Sequence, residues 1–181
     1  MNKKYELTDE TKGIWNTTLH RIRALRNIPR YGVRSGDLGG WIEAESNLSQ
    51  DGDAWVSGDA LVFGDARVFG DARVSGNVRV YGDADVYGNA EVYGNAEVYG
   101  DAIVDKEADY MTFKNTWSSG RWFTYTRSNK MWKVGCFYGN GEELIKKAYA
   151  DSETSGKCYE AIVRAVETIE AAQAETKGDA K

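Results

Sequence analysis

The stretch from Asp53 to Lys106 reads DAWVSG, DALVFG, DARVFG, DARVSG, NVRVYG, DADVYG, NAEVYG, NAEVYG, DAIVDK. It repeats every six residues, nine times, without a break. Valine recurs at every sixth position from Val56 to Val104, and glycine stands two residues after each valine but the last. Asp or Asn follows the glycine, and then a small residue: Ala60, Ala66, Ala72, Val78, Ala84, Ala90, Ala96 and Ala102. A fixed short period predicts a solenoid, because no unit this small can bury its apolar face alone. The unit is too short for a helix pair. Valine broken by Gly-Asp or Gly-Asn predicts short strands and tight corners, with Gly and Asn supplying the positive φ angles.

The Val/Ala spacing resembles the hexapeptide repeat of left-handed parallel β-helices. That resemblance implies three units per triangular coil, so residue i stacks on i+18, about 4.8 Å away. The glycine two residues after the valine, and not one, departs from the family pattern. Charge tests the register independently. The residues before the valines pair across coils as Arg67–Asp85, Arg73–Glu91 and Arg79–Glu97, each of opposite sign. Such exposed ladders are each worth about 0.2–1 kcal/mol.

Stacking also aligns aromatics that should point outward. Phe63, Tyr81 and Tyr99 form one column, and Phe69 and Tyr87 another. Contiguous exposed rings usually meet something. Three occupants are open: a second subunit, the chain's own terminal segments, or a ligand. Asp65, Asp83 and Asp101 stack as like charges. Bonding of corner amides is the simple reading, and a cation site along that column is the alternative.

Working outward, KYELT at residues 4–8 and TLHRIRALR at residues 18–26 predict a β-hairpin that caps the first coil, which would otherwise be an unpaired edge. Residues 3–34 carry eight Lys or Arg, among them Arg21, Arg23, Arg26 and Arg30, against Glu6, Asp9 and Glu10. This basic concentration is either a seat for an anion or a solvated cap. Residues 35–52 look like an irregular first coil, with Ile42 and Leu48 in register with Ala54 and with Trp41 and Trp55 closing the core. After Lys106, EADYMTFKN, GRWFTYTR and KMWKVGCFYG predict a three-stranded meander. One face should pack; the other carries Arg121, Arg127, Lys130 and Lys133.

Asn140-Gly-Glu-Glu143 predicts an N-cap and a helix to about Ala150. Thr154-Ser-Gly should break it. A second helix should run from about Lys157 to Ala174, with Tyr159, Ile162, Val163, Val166 and Ile169 as its apolar stripe. The tail Gly178–Lys181 is expected to fray. The predicted fold class is therefore mainly β. A hairpin cap (residues 1–37) precedes a left-handed β-helix solenoid (38–106), and a small α+β region of meander plus two helices (107–181) follows.

The chain has 181 residues and a net charge of −5, which argues against general nucleic-acid binding. Cys136 and Cys158 lack metal-ligand spacing, and no run is apolar enough to span a membrane. A cytoplasmic protein without metal or cofactor is expected. Hexapeptide-repeat relatives are often trimeric acyltransferases that use a histidine base and an extruded loop. Here the single histidine, His20, precedes the repeats, and the nine units carry no inserted loop. No catalytic residue is assigned, and no enzyme is expected.

The whole layout resembles phage and prophage proteins labelled polymer-forming or hypothetical. The matching marks are YELT, TLHRIRALR, SGDLGGWIEAESNLSQDGDAWVSGDA and VGCFYGNGEELIKKA. The resemblance implies a homo-oligomer, by default a trimer. The leading expectation is a non-catalytic inhibitor of a bacterial defence system. It would bind a defence protein or a small anionic, nucleotide-like signal through Arg21, Arg23, Arg26, Arg30, Arg121 and Arg127 or the exposed rings. The alternatives are a structural trimer core and an acyltransferase relative.

Overall fold

The computed structural model describes residues 3–178 of the chain. Of the tail expected to fray, Gly178 ends the last helix and residues 179–181 lie outside the described residues. The repeats form nine two-residue strands: β4 (Trp55–Val56), β5 (Leu61–Val62), β6 (Arg67–Val68), β7 (Arg73–Val74), β8 (Arg79–Val80), β9 (Asp85–Val86), β10 (Glu91–Val92), β11 (Glu97–Val98) and β12 (Ile103–Val104). Earlier in the chain come β1 (Tyr5–Ile14), β2 (Thr17–Ala24) and β3 (Leu38–Ile42). A β-solenoid of about four coils results, with a small antiparallel sheet and two helices after it.

Three parallel faces run the length of the solenoid: β3-β5-β8-β11, β4-β7-β10 and β6-β9-β12. Every repeat valine and every small residue four positions on is fully buried. The offset is as the charges predict: Val56 pairs with Val74, eighteen residues on. Each corner glycine has positive φ; the Asp and Asn residues do not. At Gly76, with φ +83°, an added Cβ would come within 3.0 Å of the Gly94 carbonyl oxygen, so the corner needs glycine twice over.

The first coil departs from the prediction. Ile42 pairs with Val62 and Leu48 with Val68, both twenty residues on. Ile42 and Leu48 therefore occupy the valine position, not the alanine register, and two extra residues lie between Leu48 and Val56. Trp55 closes the core as expected, but Trp41 faces outward and joins a separate cluster with Leu19, Leu61, Phe63 and Tyr81.

The hairpin is longer than expected. β1 runs on through a bulge between Leu7 and Thr11 to Ile14, so the turn falls at Trp15 rather than after Thr8. β2 pairs antiparallel with β3, which makes the hairpin part of one solenoid face.

Side chains seal both ends of the stack. At the first coil, the Tyr5 hydroxyl donates to the Leu48 carbonyl at 2.6 Å, and the Asn47 amide donates to the carbonyls of Gly64 and Ala66, both at 2.9 Å. At the last coil, the N–H groups of Glu97 and Ile103 donate to Thr124 Oγ1 at 2.9 Å and Ser128 Oγ at 2.8 Å. The Tyr110 ring plugs that end, and its hydroxyl oxygen accepts from the Tyr93 N–H at 3.3 Å.

The C-terminal sheet has four strands, not three: β13 (Tyr110–Lys114), β14 (Trp122–Thr126), β15 (Met131–Val134) and β16 (Phe137–Gly139). Gly135, at φ +56°, turns the predicted third strand back on itself. One face of this sheet buries Phe123, Tyr125, Trp132 and Val134 against the helices. The other face is not simply a charged surface. It presents Thr124 and Thr126, both buried, toward the last coil.

Helices α1 (Gly141–Asp151) and α2 (Glu153–Gly178) follow. The capping box forms as read: Asn140 Oδ1 accepts from the Glu143 N–H at 3.0 Å, and Glu143 Oε2 accepts from the Asn140 N–H at 2.9 Å. The break falls at Ser152, and Thr154-Ser-Gly lies inside the first turn of α2. Tyr159, Ile162, Val163 and Val166 pack as predicted; Ile169 is exposed.

Candidate functional site

The long hairpin and the β15–β16 turn rise on either side of the β5-β8-β11 face and leave a groove between them. Residues flanking the valines point outward by strand alternation, so Arg79, Tyr81, Glu97 and Tyr99 form the floor. One wall is the hairpin tip, Lys12 to Trp15; the other carries Lys133 and Tyr138. Three adjoining hollows share Arg79. The largest, about 680 Å³, lies among Trp15, Tyr81, Tyr99, Lys133 and Tyr138.

The aromatic column predicted from the repeat is present. Phe63 and Tyr81 stack with centroids 5.0 Å apart, and Tyr81 and Tyr99 lie 4.5 Å apart. It is not an open patch. Phe63 and Tyr81 are 5% and 7% exposed. Trp15 packs edge-on against both, at 5.6 and 5.5 Å, and Tyr138 packs edge-on against Tyr99 at 4.7 Å. Trp15 itself is 69% exposed and has φ +49°, a conformation that side-chain-bearing residues avoid. An exposed indole held in a strained turn above a ring ladder suits stacking on a flat ligand.

Charge in the groove is organised around Glu97. Its carboxylate lies 3.4 Å from Arg79 Nη1 and 3.9 Å from Lys133 Nζ. It also accepts from the Tyr81 hydroxyl at 3.3 Å. Burial, and then the Glu97 charge, push the Tyr81 phenol well above its ordinary range, so it stays a hydrogen-bond donor. The Lys133 side chain is 12% exposed, donates to the Gly135 carbonyl and lies 5.6 Å from the Tyr99 ring centre. Lys12 and Arg121 add positive charge at the margins.

The predicted basic cap is otherwise occupied. Arg21 pairs with Glu10, donates to the Gly39 carbonyl and stacks on Trp41. Arg23 pairs with Glu6, Arg26 with Asp53, and Arg30 with Asp71. Arg127 pairs with Glu170 at 3.2 Å, whereas Arg121 is exposed and borders the groove. On the charge ladders, Arg67–Asp85 forms a two-point bridge at 2.8 and 2.6 Å and Arg79–Glu97 forms as read. Arg73 turns away from Glu91 to lie over the Tyr31 ring at 5.3 Å.

Phe69 and Tyr87 stack at 4.9 Å on a different face, half-buried. Asp65, Asp83 and Asp101 line an exposed corner, where Asp101 accepts from Asn129 at 2.9 Å. Among the described residues, no cluster of three or more His, Cys, Asp or Glu is arranged to hold a metal ion. His20 Nδ1 faces the Thr8 carbonyl at 3.3 Å, a backbone contact within the hairpin. Among the described residues, no helix is long and apolar enough to cross a membrane.

A second cleft, about 380 Å³, lies between the sheet and the helices. Its wall carries Glu142, Glu167 and Glu170 against Lys130, so it does not suit an anion.

Sequence reading missed Trp15, Arg79, Glu97, Lys133 and Tyr138 as site residues. The Arg79–Glu97 ladder was legible, and Lys133 was legible as a meander cation. Nothing in the period places them beside Trp15.

The repeat family described as YdcK Beta solenoid repeat matches residues 66–82 and 72–88. The match lies wholly within the stacked coils, at some distance in sequence from Trp15, Lys133 and Tyr138. No curated protein matches the chain.

Proposed function

We propose that this chain is a non-catalytic binding protein that holds a small anionic, ring-bearing ligand of the nucleotide type in the solenoid-face groove. The observation that carries the reading is the placement of Arg79 and Lys133 beside the Tyr81–Tyr99 ladder under an exposed Trp15. A planar base suits the rings, and phosphate suits the two cations and the Tyr81 hydroxyl. The solenoid supplies a rigid floor, which limits the ordering cost of binding.

The likeness of the whole layout to phage and prophage proteins favours a role as an inhibitor that withdraws such a signal from a bacterial defence system. The likeness of the repeat to that of hexapeptide-repeat proteins favours a left-handed coil and a trimer. The half-buried Phe69–Tyr87 pair is the proposed contact between subunits.

Native mass spectrometry on protein purified gently from a bacterial cytoplasm tests subunit number and retained ligand together. The expected result is an oligomer carrying a small anionic mass. Arg79→Glu/Lys133→Glu should assemble normally and lose that mass. A wild-type oligomer that is empty, and that binds added ADP no better than the double variant, overturns the reading. Capture of a host protein by that empty oligomer would move the site to a protein interface.

A further inference from the structure

We infer that Glu97 is a built-in counter-ion that reserves the groove for ligands bearing more than one anionic group. This rests on the proposal above that the groove is an anion site. Glu97 is fixed from behind, because its backbone N–H donates to Thr124 Oγ1 at 2.9 Å. Its side chain is the one carboxylate among the described residues lining the largest of these hollows, and it serves both cations there, Arg79 and Lys133.

A tethered carboxylate competes with an entering anion at the effective concentration its short linkage gives, of millimolar order. A ligand with a single anionic group therefore gains little: it displaces one carboxylate and leaves Glu97 to be solvated. A ligand with two or more phosphate groups is different. It can bridge Arg79 and Lys133 at once and accept the hydrogen bond that Tyr81 now donates to Glu97. Lys12 lies farther along the same groove, in the hollow that shares Arg79, where Asp59 also lines the wall. The ligand class that fits is a nucleoside di- or polyphosphate rather than a monophosphate or a simple carboxylate.

Isothermal titration with AMP and ADP against wild type, Glu97→Gln and Glu97→Asp tests this. Gln keeps the length and can still accept from Tyr81, so the fold should survive; Asp keeps the charge but shortens its reach. Wild type should bind ADP at least about tenfold more tightly than AMP. Glu97→Gln should bind AMP about tenfold more tightly than wild type does, a change of about 1.4 kcal/mol, and so narrow the gap. Glu97→Asp should fall between.

If Glu97→Gln weakens both nucleotides equally, Glu97 is a direct ligand contact or a scaffold residue. That result overturns the counter-ion role while the groove proposal stands. If neither nucleotide binds wild type or either variant, the anion site itself falls.

Discussion

The Lys4 ammonium donates a 2.7 Å hydrogen bond to the Ala54 carbonyl, and both residues are fully buried. A lysine thus closes the first coil where a further strand would otherwise lie. Its cost shows in its acidity: burial, and then the neighbouring Arg26 charge, lower its pKa to about 8. Unfolded, the same group keeps its proton up to about pH 10.5. The unfolded chain therefore binds more protons between these values, and stability should rise with pH across that window. The buried Tyr5 and Tyr81 phenols act oppositely. Their pKa values are raised by burial from 10.0, so stability falls above about pH 10. Urea midpoints of wild type relative to Lys4→Met should increase from about pH 8 to about pH 10. At neutral pH, Lys4→Met should cost about 1–3 kcal/mol through the unpaired carbonyl.

The opposite end makes a matching prediction. Thr124→Val keeps shape and removes the acceptor of the Glu97 N–H; Ser128→Ala does the same for Ile103. Each should cost about 1–3 kcal/mol. The double variant should also expose a strand edge and form larger species on size-exclusion chromatography at high concentration. A double variant as stable as wild type would mean these hydroxyls do not seal the coil.

The helix pair reverses a general expectation. Gly→Ala inside a helix usually gains about 0.5–1 kcal/mol. At Gly156 an added Cβ would come 2.2 Å from Tyr149 Cδ1. The ring would have to swing away, breaking its 2.8 Å hydrogen bond to Glu160. Gly156→Ala should therefore destabilise, by about 1–3 kcal/mol. In the Tyr149→Ala background the same change should become favourable. A thermal-melt double-mutant cycle reads the sign directly.

Val80 is fully buried in the middle of its column, paired with Val62 below and Val98 above. Val80→Asp places an unpaired charge in a narrow apolar lumen and should abolish folding. Val80→Ala should fold with a loss of about 2 kcal/mol. Circular dichroism on both variants checks the inward register, since a soluble, cooperative Val80→Asp variant contradicts it.

Trp15 separates binding from stability. Trp15→Gly removes two edge-on ring contacts, worth about 0.5–1.5 kcal/mol each, and relieves the strain of a non-glycine residue at positive φ, about 1–3 kcal/mol. The terms offset, so the unfolding free energy should change by less than about 1 kcal/mol. ADP affinity should fall about tenfold with the loss of the stacking surface. Equal affinity in the two proteins would remove Trp15 from the site.

The sequence by itself determined the solenoid. Stacked coils are nearest-neighbour structures, and a constant offset carries Val56 onto Val74 and Arg67 onto Asp85 whatever the rest of the chain does. It determined the Asn140 cap for the same reason, because those partners lie three residues apart. It did not determine the two extra residues before Val56, since Ile42 and Leu48 keep the six-residue spacing in either register. Only the tertiary structure decided that Trp15 and Tyr138 cover the Phe63–Tyr99 column, that Arg21, Arg23, Arg26 and Arg30 are paired within the chain, and that Lys133 reaches Glu97. These contacts join segments far apart in sequence. They depend on how a hairpin and a four-stranded sheet dock on the coil, and that docking is set by side-chain fit at the coil ends, which no repeat period encodes.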